Sequence, residues 1–157
     1  MTKTSFSDSG EIPVPPRQNK TDVYLGIDIG STTTKYALID ADRELLHKRY
    51  VPTQGRPIEV TQKLLREMRS EIGDWIEIVG TATTGSGRIV VGDFLDVDLI
   101  IDEITAHARG AVEIDPSVDT VFEIGGQDSK YIGIVNTHPL DFDLNKVCAA
   151  GTGSFLD

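Results

Sequence analysis

One plan of residues occurs twice in this chain and constrains it more than any other feature: an acidic side chain near the end of an apolar strand, then glycine, then a short polar turn. The first copy is Val23-Tyr24-Leu25-Gly26-Ile27-Asp28-Ile29-Gly30 followed by Ser31-Thr32-Thr33-Thr34, and the second is Glu123-Ile124-Gly125-Gly126-Gln127-Asp128, about a hundred residues further on. A carboxylate in a buried strand is costly unless a cation or hydrogen-bond donors meet it. A turn of Gly, Ser and Thr offers backbone N–H groups and hydroxyls, which suit phosphate oxygens. The first copy alone fits two readings equally: a metal and phosphate site, or an ordinary hairpin whose threonines serve β propensity and whose Asp28 caps a turn. The second copy favours the former, because two such hairpins form two jaws able to close on one polyphosphate.

Mg²⁺ binds through one or two carboxylates together with substrate phosphates, which makes Asp28 and Asp128 its candidate ligands. Gly30, Ser31, Thr32, Thr33 and Lys35 are then candidate phosphate contacts from the first hairpin, and Gly125, Gly126 and Gln127 from the second. Glu123 either positions an attacking water or caps its turn, and Lys35 either reaches phosphate or is a solvated strand end. Phosphoryl transfer asks mainly for positioning and charge neutralisation, which two such hairpins supply. The chain contains no Gly-x-x-x-x-Gly-Lys-Ser/Thr, which excludes a P-loop, and no Gly-x-Gly-x-x-Gly after a strand, which argues against a Rossmann site.

The surrounding pattern predicts an α/β domain with a mixed sheet. Residues 1–21 carry Ser, Thr, Asp, Lys and Pro with few apolar side chains, and read as a flexible leader or linker. From Asp22 a meander of three strands is expected, with the third near Leu45 to Val51. Val60, Leu64, Leu65, Met68 and Ile72 recur three and four apart, which predicts an amphipathic helix from Ile58 to Ile72, stopped by Gly73. A strand from Trp75 to Gly80, a Thr/Gly loop over Thr81 to Gly87, a short helix from Arg88 to Phe94 and a strand from Val97 to Ile101 follow. Asp102 is the expected N-cap of a helix running to about Ile114. Two strands, Thr120 to Ile124 and Lys130 to Val135, flank the second glycine turn.

Composition narrows the function classes. Fifteen Lys and Arg against 25 Asp and Glu leave a net charge of −10 over 157 residues, which argues against a general nucleic-acid or anionic-membrane binder. One cysteine, Cys148, forms no intramolecular disulfide, and no apolar N-terminal stretch precedes a cleavage site, so a cytoplasmic protein is expected.

Three segments together resemble a known family. Tyr24 to Lys35, Glu123-Ile124-Gly125-Gly126-Gln127-Asp128-Ser129-Lys130 and Lys146-Val147-Cys148-Ala149-Ala150-Gly151-Thr152-Gly153-Ser154-Phe155-Leu156-Asp157 are similar, in order, to the activators of 2-hydroxyacyl-CoA dehydratases and the related ATPase subunits of benzoyl-CoA reductase. The resemblance implies an actin-like ATPase (ribonuclease H-like) fold. By it, Asp28 to Thr33 looks like a first phosphate motif, Glu123 to Asp128 a second, and the helix around Glu103 to Gly110 the connection between two lobes. The lobes are then 22–101 and 102–157, the second expected to be incomplete. The resemblance further implies ATP and Mg²⁺ as ligands, an acyl-CoA dehydratase or reductase component as partner, and a homodimer. The dimer holds one [4Fe-4S] cluster that delivers a low-potential electron on ATP hydrolysis, with Cys148 matching one cluster ligand. A cluster takes four thiolates, so one cysteine per chain leaves two copies two short.

Two other readings compete: a sugar or amino-sugar kinase of the same superfamily, against which Cys148-Ala149-Ala150-Gly151 speaks, and a non-catalytic nucleotide-binding or dimerisation fragment. Of the remaining residues, His107 is expected on a surface or facing a lobe, and His47 and His138 in solvent. Trp75 is expected in core or interface packing, and the acidic stretch from Asp93 to Glu103 on exposed strand and helix ends.

Overall fold

The computed structural model describes residues 20–125 and 128–145. Residues 1–19 of the leader expected over 1–21, Gly126, Gln127 and Cys148 with its flanking motif lie outside the described residues.

Strict alternation builds the first sheet. In β1 (Thr21–Ile29), Val23, Leu25, Ile27 and Ile29 point to one face and are buried, while Tyr24, Gly26 and Asp28 take the other. β2 (Thr33–Ile39) and β3 (Leu45–Pro52) continue antiparallel from it. Helix α1 (Pro57–Ile72) follows, with proline at its first turn, where a missing N–H costs nothing, and Thr61, Leu64 and Met68 against the sheet. Gly73 ends it, donating its N–H to Arg69 O at 2.9 Å. β4 (Ile76–Thr84) then returns parallel to β1. Helix α2 (Arg88–Leu95) and the two-residue β5 (Leu99–Ile100) complete a five-stranded mixed sheet of order β3-β2-β1-β4-β5. Val91 of α2 joins Leu64, Met68 and the inward side chains of β1 and β2 in one core, so both helices cover the same face.

Asp102 caps α3 (Glu103–Ile114) as expected, accepting the Thr105 N–H at 3.0 Å and its hydroxyl at 2.7 Å. Helix α3 leads into a three-stranded antiparallel sheet, β6 (Thr120–Ile124), β7 (Ser129–Val135) and β8 (His138–Leu144). Ala108, Ile132 and Ile134 form its core with Ile104, Val112, Val118 and Val121 around them. Arg43, in the β2–β3 turn, makes a two-pronged pair with Glu113 of α3 at 2.9 and 3.0 Å.

Several expectations are corrected. Thr81 to Thr84 belong to a strand rather than a loop, because β1 offers them a parallel partner from Leu25 to Asp28. The strand expected over Val97 to Ile101 shrinks to two residues. The alternation Leu140-Asp141-Phe142-Asp143-Leu144 signals β8, which the expectation omitted; it is an edge strand, almost wholly exposed, with Pro139 near its start. Trp75 is 66% exposed rather than part of the core of this chain. His47 is not in solvent: its ring stacks on Tyr36 with centroids 5.7 Å apart, and its Nδ1 lies 2.9 Å from the Tyr36 hydroxyl.

Candidate functional site

The first hairpin is fastened from behind. Gly30 N–H donates to Thr33 O at 2.8 Å, closing the turn, and a Cβ on Gly30 would sit 2.9 Å from that same oxygen, so the position takes only glycine without a shift. Thr53, buried just after β3, holds the turn twice: its N–H donates to Thr32 O and its hydroxyl to Gly30 O, both at 2.8 Å. The same hydroxyl lies 2.9 Å from that of Thr34. A second support comes from Gly85-Ser86-Gly87, at the end of β4. Gly87 N–H donates to Ile29 O at 2.8 Å, and Gly85, at φ +90°, lies so close that a Cβ there would be 2.5 Å from Asp28 Oδ1. Asp28 is opposite Lys35 in the β1–β2 ladder, and its Oδ2 pairs with Lys35 Nζ at 2.9 Å.

The second hairpin follows the same scheme with more burial. Gly125 N–H donates to Asp128 O at 2.8 Å. Glu123 is opposite Lys130 in the β6–β7 ladder. Lys130 Nζ lies 2.8 Å from Glu123 Oε2, 2.9 Å from Asp128 Oδ1 and 3.4 Å from Glu103 Oε2, and the lysine side chain is only 7% exposed. Burial alone pulls the Lys130 pKa down, but its hydrogen bonds to Glu123 and Asp128 and the charges of Glu123 and Glu103 outweigh that and hold it above the ordinary lysine value.

Both hairpins open onto one cleft of about 170 Å³. Asp28, Gly30, Ser31, Thr32, Thr33 and Lys35 line it from the first hairpin, and Glu123, Gly125, Asp128 and Lys130 from the second. Ser86, Glu103 and His107 complete the wall. The volume falls below the roughly 300–1,000 Å³ that encloses a drug-sized ligand, so it suits the phosphate end of a nucleotide rather than the whole molecule. A larger cavity of about 800 Å³ on the open face of the five-stranded sheet shares only Asp28 and Lys35 with the cleft. Elsewhere it is floored by Gly26, Ala37 and Ala82 and flanked by Tyr50, Lys48 and Arg109.

Four carboxylates and two ammonium groups face the cleft, a net of two negative charges, so a polyphosphate needs a cation to enter it. Among the described residues, no three His, Cys, Asp or Glu side chains converge to hold a metal on their own. Mg²⁺ does not require that: one or two carboxylates with phosphate oxygens and water suffice. Asp28 and Asp128 each commit one oxygen to a lysine, and this donor set fits a cation that arrives with its phosphates.

The structure thus brings together nine of the expected site residues: Asp28, Gly30, Ser31, Thr32, Thr33, Lys35, Glu123, Gly125 and Asp128. Glu103 is a correction: it is not an exposed helix end but half-buried, 3.4 Å from Lys130. Thr53 and Lys130 escaped the reading of the sequence as site residues, and Gly85 was expected only as part of a Thr/Gly loop. A signal for Lys130 was available, since Asp28 to Lys35 and Glu123 to Lys130 are the same acidic-Ile-Gly-x-x-x-x-Lys spacing. Across a hairpin that spacing makes a cross-strand pair.

Residues 25–157 match the model of the BadF/BadG/BcrA/BcrD ATPase family. The chain is 37% identical over 138 residues to the (R)-2-hydroxyglutaryl-CoA dehydratase activating ATPase of Acidaminococcus fermentans, covering 85% of this chain and 50% of that protein. It is 30% identical over 148 residues to one of the benzoyl-CoA reductase polypeptides of Thauera aromatica, covering 86% and 49%. Among solved structures, the activator of the 2-hydroxyisocaproyl-CoA dehydratase from Clostridium difficile with bound ADPNP superimposes with a TM-score of 0.70 at 32% identity, covering 86% of this chain and 50% of that one. The chain therefore spans about half the length of these relatives. The expected actin-like ATPase fold, with its mixed sheet and flanking helices, is borne out by that superposition, and the chain belongs to the BadF/BadG/BcrA/BcrD ATPase family.

Proposed function

We propose that this chain supplies the phosphate-binding part of an ATPase that activates an acyl-CoA dehydratase or reductase. The observation that carries the reading is the convergence of both acidic glycine hairpins on one small cleft. In it Asp28 and Asp128 hold Mg²⁺, while Gly30, Ser31, Thr32, Thr33 and Lys35 receive phosphate oxygens from one side and Gly125, Gly126 and Gln127 from the other. When bound, Mg²⁺ neutralises the charge on the phosphates. Glu123, whose Oε2 is held by Lys130, leaves Oε1 to orient the water that attacks the terminal phosphate. The domain division at Asp102, with α3 as the connection between two lobes, and a cytoplasmic location belong to the same proposal.

Homodimerisation and delivery of a low-potential electron from a [4Fe-4S] cluster complete it, with Cys148 as one thiolate. The single cysteine of the chain does not fill a four-thiolate site, even in two copies. Calorimetric titration of MgATP into the chain and into Asp28→Ala tests the nucleotide reading. Binding by the unaltered chain, weakened at least about tenfold in the variant by loss of a metal-facing carboxylate, is expected. Equal heats for the two proteins would refute it.

A further inference from the structure

The two hairpins present matching acid–lysine pairs that differ in one respect. Lys35 is 43% exposed and touches one carboxylate, Asp28; Lys130 is 7% exposed and touches three, Glu103, Glu123 and Asp128. An exposed pair in high dielectric exchanges partners at little cost, so Lys35 is free to turn from Asp28 to an incoming phosphate. A buried ammonium among three carboxylates is not, because leaving would strand Glu123 and Glu103, 19% and 29% exposed, without a counter-ion, although Asp128 at 45% keeps contact with solvent. The three carboxylates also come from three separate elements. Glu103 opens α3, Glu123 closes β6 and Asp128 precedes β7, so one Nζ ties the helix to both sides of the second turn.

We propose that Lys130 is a positioning residue: its ammonium is the resident counter-cation of the second hairpin, fixing the carboxylates of Glu123 and Asp128 toward the cleft. It also withholds that acidic cluster from divalent cations until a metal arrives with nucleotide phosphates. In this role Lys130 acts through Glu123 and Asp128. The identity of the incoming ligand rests on the nucleotide reading above, so the test has an arm without nucleotide.

Mn²⁺, followed by loss of the electron paramagnetic resonance signal of the free ion, is titrated into the unaltered chain, Lys130→Met and Lys130→Arg, first alone and then with ADP. Without nucleotide, Lys130→Met is expected to bind Mn²⁺ at least about tenfold more tightly than the unaltered chain, because three carboxylates have lost their counter-ion. Lys130→Arg, which keeps the charge, behaves as the unaltered chain, and adding Glu103→Gln to Lys130→Met removes most of the gain. Equal Mn²⁺ affinity of the unaltered chain and Lys130→Met, both without nucleotide, overturns the proposal whatever ADP does. If ADP adds nothing to Mn²⁺ uptake by the unaltered chain while Lys130→Met still gains, the nucleotide reading fails and the withholding role stands. Should Lys130→Met be unfolded by circular dichroism, refolding on addition of Mn²⁺ supports the proposal, and failure to refold at millimolar Mn²⁺ overturns it.

Discussion

Replacing Gly85 by alanine tests whether the floor of the cleft depends on a backbone contact rather than on a side chain. At φ +90° a side chain is strained on its own account, at about 1–2 kcal/mol. The added Cβ would also stand 2.5 Å from both Asp28 Oδ1 and Ile29 O, and 2.6 Å from Ile29 C, so relief requires backbone to move and not merely a flexible side chain. Ile29 O accepts the Gly87 N–H at 2.8 Å, and giving up that bond adds about 1 kcal/mol. Together these terms give a destabilisation of roughly 2–4 kcal/mol, within the range of diagnostic single substitutions. At about 2–4 °C per kcal/mol for a chain of this size, the melting midpoint falls by roughly 5–15 °C.

The same displacement reaches the site, because one of the two atoms approached most closely belongs to the carboxylate proposed to face Mg²⁺. A shift of that group by a sizeable fraction of an ångström weakens MgADP at least about tenfold. Thermal melts followed by circular dichroism and calorimetric titration of MgADP read the two effects. Gly110→Ala is the control of opposite sign: its Cβ would meet nothing within 4 Å in α3, so it stabilises by about 0.5–1 kcal/mol. Gly85→Ala melting and binding as the unaltered chain would refute the reasoning.

Thr53→Val keeps the shape and deletes the hydroxyl that serves Gly30 O and Thr34, so about 1–3 kcal/mol is lost in urea unfolding, while Thr53→Ser retains most of it. Asp102→Ala removes the cap of α3 and costs about 1 kcal/mol at neutral pH. The Thr105 N–H and then its hydroxyl hold the Asp102 carboxyl below its ordinary 3.8. The cap's contribution is therefore present above that value and lost as pH falls through the depressed one, and unfolding curves of the two proteins converge in acid. Tyr36→Phe loses the hydrogen bond to His47 and about 1 kcal/mol. Burial first of all, opposed by Arg49 and aided by Glu71 and Glu67, raises the Tyr36 phenol above 10.0. That stability is full below the ordinary value and declines as pH rises through the raised one, so the alkaline decline of the unaltered chain is shallower in Tyr36→Phe.

What was legible in the sequence is what neighbours along the chain decide. Val23, Leu25, Ile27 and Ile29 announce a strand by period two, Leu64 and Met68 a helix by their spacing, and Asp102 its cap by residue type. The two acidic hairpins announce a shared ligand because the same chemistry recurs. What stayed hidden depends on partners far along the chain. Thr81 to Thr84 read as a loop until β1 gives them a ladder. Thr53 is one threonine among many until Gly30 O, 23 residues away, lies within 2.8 Å.

Lys130 marks the boundary between the two kinds of information. Its spacing from Glu123 equals that of Lys35 from Asp28, so local sequence predicts the same cross-strand acid–lysine pair in both hairpins. Their difference comes from Asp128, which stands where the first hairpin has Thr33, and from Glu103, whose position at the start of α3 is set by the Asp102 cap and by Ile104 and Ala108 packing on β6 and β7. A third carboxylate converts an exchangeable surface pair into a buried cluster, and what Lys130 does follows from that packing. Substituting Glu103 alone should therefore loosen Lys130 toward the behaviour of Lys35, and a ¹⁵N NMR titration of the lysine ammonium groups with ADP would show it. In the unaltered chain only Lys35 should respond; in Glu103→Gln both should, and a silent Lys130 in the variant would mean that two carboxylates already suffice to hold it.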